Sequence, residues 1–122
     1  MSGTVPAYPE FFLTPEALSA WFAAHPEATE LWVGLWKKGF ERPGVTYGEA
    51  VDEALCNGWI DSTVRRVDDA CYMLRFTPRR PKSTWTETNL RRAAELRRAG
   101  RMRPAGERAV LAAATARKSP KR

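Results

Sequence analysis

Arg75, Arg79, Arg80 and Lys82 crowd into the run RFTPRRPKSTWTETN at residues 75–89, beside Trp85 and with Ser83 and Asn89 as neutral hydrogen-bonding groups. These side chains are the ones in the chain whose types and spacing could do chemistry. An arginine presents a planar fork of donors that matches a carboxylate or phosphate, and a tryptophan supplies an apolar body for contact. The chemistry they suggest is the holding of an anion. Pro78 and Pro81 keep the segment out of helix and ladder, so it reads as a rigid loop. A helix starting after Thr84 would add free N–H groups and a positive dipole end at the same place. The competing reading is a solvated connector whose charges only keep the protein soluble, with Ser83 or Thr84 merely capping. Trp59 and Trp85 could equally be core anchors; Trp85, in a helix's first turn, is the one expected to be partly exposed.

Support for catalysis is thinner. Asp61 is the carboxylate to watch, because the strand register places it on one face with Arg75. That arrangement is more often a structural ion pair than a general acid or base. His25 precedes a proline at a helix end and offers no base for a triad. Gly39, Gly44 and Gly48 are too scattered for a phosphate loop. Cys56 and Cys71 lack CxxC spacing and read as buried free thiols, and His25 cannot complete a zinc site with them. No metal and no cofactor is expected, and the chain reads as a binding module before it reads as an enzyme.

Charge divides the chain. Residues 1–74 carry a net −6 and residues 75–122 a net +12, within an overall +6. A basic half of this kind makes nucleic acid the rival ligand, through Arg91, Arg92, Arg97, Arg98, Arg101 and Arg103, but with weak, salt-sensitive, sequence-independent binding. A protein partner is a third option, since exposed arginines beside an aromatic ring resemble a hot spot. No run of apolar residues is long enough for a membrane span, and the N-terminus lacks the pattern of a signal peptide. The expected location is the cytoplasm.

The elements that must position these groups follow from capping and periodicity. Thr14-Pro15-Glu16 starts a helix that ends at His25-Pro26, and Leu31 to Trp36 is a strand covered on both faces. Thr46 and Glu49 form a capping box for a helix that stops at Asn57-Gly58. Trp59 to Val67 and Cys71 to Thr77 alternate as two strands, in a register that puts Ile60, Ser62 and Val64 on one face with Tyr72, Leu74 and Phe76. Thr84 and Glu87 form a second capping box, for a helix ending at Gly100, and Pro104 opens a last helix with Ala109, Val110, Ala113 and Ala114 as its apolar stripe. The expected fold is α+β: about three strands in a small, largely antiparallel sheet with four to five helices. One domain covers residues 1–116, and a basic tail at 117–122 is expected to fray.

With these elements placed, LWVGLWKK at Leu31 to Lys38, TYGEAVDEALCNGWIDS at Thr46 to Ser62, the Arg75 to Asn89 run and GRMRPAG at Gly100 to Gly106 resemble the YdeI/OmpD-associated family, also labelled bacteriocin-protection proteins. That resemblance implies a fold sometimes grouped with YjbR/CyaY-like proteins and a link to resistance against bacteriocins or cationic antimicrobial peptides. It carries no catalytic residues to this chain. Relatives usually continue past GRMRPAG into a further helical segment, whereas this chain ends in ATARKSPKR. Glu49, Asp52 and Glu53 are too few for the iron-binding acidic ridge of CyaY-type proteins.

Overall fold

The computed structural model describes residues 5–80 and 85–118, with side chains as far as residue 113 in the last helix. Thr14 is extended and its Oγ1 accepts the Ala17 N–H at 3.1 Å, so α1 (Pro15–Ala24) begins with one otherwise free donor satisfied. Pro15 takes the first helical position, where its missing N–H costs nothing. The helix closes at His25, whose ring stacks on Trp21 at 4.2 Å.

The strand β1 (Leu31–Trp36) is buried along almost its whole length. The helix α2 (Tyr47–Cys56) opens with the expected capping box. The Thr46 hydroxyl accepts from the Glu49 N–H at 3.1 Å, and the Glu49 carboxylate accepts from the Thr46 N–H at 2.9 Å. It ends at Asn57, followed by Gly58 at φ +82°. The strands β2 (Trp59–Arg66) and β3 (Cys71–Pro78) form a hairpin, and β3 lies in the centre of a three-stranded antiparallel sheet of order β1-β3-β2. Glu10 adds a short bridge outside β1, donating its N–H to the Trp32 carbonyl and accepting from Gly34.

Two helices complete the fold. In α3 (Glu87–Arg98) the cap is Thr86, whose hydroxyl accepts the Asn89 N–H at 3.0 Å. The expected capping box therefore lies two residues too early, and its Thr84 is outside the described residues, as are Pro81, Lys82 and Ser83. The chain turns at Gly100 and enters α4 (Pro104–Lys118) with Pro104 first. Residues 117 and 118 thus still belong to this helix. The architecture is α+β, with four helices and one antiparallel sheet among the described residues. None of those helices is long and apolar enough to cross a membrane.

The hairpin register needs a correction. Near the turn it is the expected one, with Val64 opposite Leu74 and Arg66 opposite Tyr72. A bulge between Asp61 and Val64 then shifts the pairing by one residue, so that Ile60 faces Thr77 and Asp61 faces Phe76. An extra residue in one strand exchanges the faces beyond it. Asp61 therefore does not share a face with Arg75, and Trp59 is delivered to the core side in place of Ile60.

Two apolar clusters meet along α2. Leu31, Val33, Leu35, Leu74, Phe76 and Trp59 pack beneath α1 and the first turns of α2. Leu55 and Cys56 at the end of α2 pack instead with Trp85, Ala93, Leu96 and Ala113. Cys56 and Cys71 are both buried free thiols, and burial pushes the Cys56 thiol up to about 11.

Candidate functional site

A cleft of about 570 Å³ opens between the end of the hairpin and the start of α4. Its position follows from a close junction. Gly106 in the first turn of α4 is pressed against the Cys56 carbonyl, which any Cβ there would overlap. The Arg103 N–H donates to that same carbonyl at 2.9 Å. On the other side, the Arg79 N–H donates to the Gly58 carbonyl at 2.9 Å. Gly58 itself combines a positive φ with an approach of 2.9 Å between its missing Cβ and the Ala105 carbonyl, so only glycine fits there without strain. The segment 56–58 thus holds both walls.

The charge in the lining is all positive. Arg79, Arg80, Arg103 and Arg108 line the cleft, and no carboxylate does so among the described residues. Pro104 and Ala105 bring the start of α4, the positive end of its dipole, to the same rim. Phe22, Trp59, Ala109 and Ala112 give the same lining an apolar part. Phe22 and Trp59 belong to the core, with ring centroids 4.9 Å apart.

Arg79 is the unusual member. Its guanidinium carbon lies 3.8 Å from the centroid of Trp85, a short cation–π contact. Its Nε and Nη1 are buried and have no hydrogen-bond partner among the described residues. Burial lowers its pKa, and the more distant Asp61 carboxylate offsets this only in part. Trp85 is 6 % exposed, which corrects the expectation of a partly exposed ring: it is a backing plate for Arg79 and does not itself line the cleft.

Four other arginines of the basic half are held in ion pairs. Arg75 Nε donates to Glu30 at 2.7 Å, on the sheet and away from the cleft. Arg92 grips Asp52 through Nε and Nη2 at 2.9 and 2.6 Å and reaches Glu95 at 2.7 Å; these hydrogen bonds raise its pKa. Arg101 binds Glu53 at 2.5 Å, and Arg97 binds Glu107. Three of these pairs join the basic half to the acidic half, which removes much of the charge separation seen along the chain.

The structure therefore brings together Arg79, Arg80 and Trp59 from the expected set, with Trp85 behind them. It leaves Arg75 in an ion pair and Asn89 in the first turn of α3, away from the cleft lining. Asp61 accepts from the Tyr47 hydroxyl at 3.4 Å instead of pairing with Arg75. Lys82 and Ser83 lie outside the described residues. Phe22, Arg108 and the cleft-side role of Arg103 were not foreseen. A glycine directly after a helix stop, at Gly58, together with a Pro-Ala-Gly helix start, at 104–106, was the available hint that two helix ends abut there.

No curated protein and no solved structure matches the chain. One family model does, over residues 10–109, a span that includes all four cleft arginines and the junction behind them. The chain belongs to that family, the domain of unknown function DUF8412.

Proposed function

We propose that the domain is a binding module for an anionic ligand, with Arg79 as the anchor of the charged group. The observation that carries this reading is the state of Arg79: buried at two of its nitrogens, stacked on Trp85 and matched with no carboxylate partner among the described residues. A desolvated cation without a counter-charge is costly, and native structures rarely leave one without a reason. An anion in the cleft would neutralise it, with Arg103, Arg108 and the α4 start adding to the attraction. Non-specific nucleic-acid binding is the weaker reading, because Arg92, Arg97 and Arg101 are already engaged by carboxylates. The resemblance to the YdeI/OmpD-associated family adds a setting, resistance to bacteriocins or cationic peptides. A cationic peptide would be repelled by four arginines, so the ligand in such a setting is a separate, anionic species.

Titration with inorganic phosphate, followed through the backbone amides of Gly58 and Arg79, tests the proposal. Saturable shifts are expected in the unmodified protein and not in Arg79→Met. Shifts that survive Arg79→Met, or that spread over the whole basic half and vanish at moderate salt, would contradict it.

A further inference from the structure

The cleft has a second property that an inorganic anion does not use. Its volume, about 570 Å³, lies in the range of roughly 300–1,000 Å³ typical of pockets for small organic ligands. Its lining combines four arginines with the apolar side chains of Phe22, Trp59, Ala109 and Ala112. Phe22 and Trp59 are only 3 % and 5 % exposed and are anchored in the main core, so these rings cannot swing in to fill the space. A phosphate or sulfate against Arg79 would leave the Ala109–Ala112 face and the uncovered edges of the two rings in water. A ligand with one anionic head and a hydrocarbon or aromatic body would engage the arginines and the apolar lining at once.

We infer that the ligand is an amphipathic organic oxyanion, its carboxylate or phosphate head held by Arg79 with Arg103 and Arg108, and its apolar body laid on Phe22, Trp59 and the Ala109–Ala112 face of α4. This rests on the anion-binding reading and narrows it to a chemical class. The two alanines matter most to the fit. Both lie on the cleft side of α4, and their small side chains leave the room that the body occupies. Larger residues at those positions would be compatible with the helix but would fill the space.

The test uses the full chain and a series of probes: inorganic phosphate, butyrate, hexanoate, octanoate, hexyl phosphate and neutral hexanol, each titrated calorimetrically. Affinity should rise about fourfold for each methylene added to the alkanoates, as expected for apolar surface leaving water. Hexanol should bind at least tenfold more weakly than hexanoate, and the tighter of hexanoate and hexyl phosphate identifies the head group. Ala112→Leu should flatten the chain-length series while leaving phosphate binding in place, and Arg79→Met should abolish binding of every anion. If the alkanoates bind with one affinity whatever their length while phosphate still binds, the amphipathic assignment is wrong and the anion site stands. If neither phosphate nor any alkanoate binds, both readings fall. If hexanol matches hexanoate, the head group has no role and the inference is overturned.

Discussion

Arg101 pairs with the last turn of α2 and Arg79 is tied to Gly58 just past it, yet the two arginines are treated in opposite ways. Arg101 reaches a carboxylate, Glu53, whose side chain is 10 % exposed, and the pair is complete within the protein. Arg79 reaches a ring, Trp85, and its charge is left without a partner among the described residues. The first arrangement supports the fold: it ties the Gly100–Pro104 connection to α2. The second adds little that an apolar side chain could not, and it makes sense as a charge held ready for something that arrives. Within one basic half, then, pairing separates an arginine that supports the fold from one held for binding.

Substitutions can break this contrast. The largest effect is expected from Trp85→Ala, which removes a buried ring from the second cluster and the surface on which Arg79 lies. Large-to-small changes of this type cost about 3–5 kcal/mol, so urea unfolding should show a loss of that size, together with loss of anion binding. A retained binding constant would mean that Trp85 does not position Arg79.

The next test compares the two arginines directly. Arg101→Met strands the Glu53 carboxylate in a largely covered position and should cost about 2 kcal/mol. Arg79→Met should stay within about 1 kcal/mol of the parent, since losing the cation–π contact is offset by removing an unpaired, partly buried charge. Equal losses for the two variants would erase the distinction drawn here.

The smallest effect is on acid. Hydrogen bonds from the Ala70 and Cys71 N–H groups lower the Asp68 pKa below its ordinary 3.8. A depressed carboxylate contributes stability above its unfolded value, and that contribution fades as pH falls through the folded value. Amide shifts of Ala70 and Cys71 should therefore titrate with a midpoint below 3.8, while amides around Arg79 stay unchanged through the same window. Co-titration of the two regions would show that the β2–β3 turn and the cleft are coupled.

Much of the frame was legible from local chemistry. The caps at Thr14 and Thr46 and the stop at Asn57-Gly58 rest on contacts within four residues, and all three are where capping rules put them. The bulge was not legible, since Ser62 and Thr63 carry no glycine or proline to mark it and tertiary packing of Trp59 decides the register. The site was half legible. Composition pointed to the basic loop, but which arginines were spent depended on carboxylates far away in sequence: Arg75 and Glu30 are 45 residues apart, Arg92 and Asp52 are 40, and Arg101 and Glu53 are 48. No spacing rule reaches that far. The apolar lining was hidden for the same reason, because Phe22 and Ala112 come from opposite ends of the chain.

The junction at residues 56–58 sets how the two walls can move. Amides from either side of the cleft, those of Arg103 and Arg79, donate to carbonyls of this one short segment, and Gly106 leaves no slack against it. The walls are thus referenced to a common pivot instead of to each other. Hydrogen exchange at Arg79 and Arg103 would accordingly report a single opening event, because neither bond can be lost by the pivot without disturbing the seat of the other.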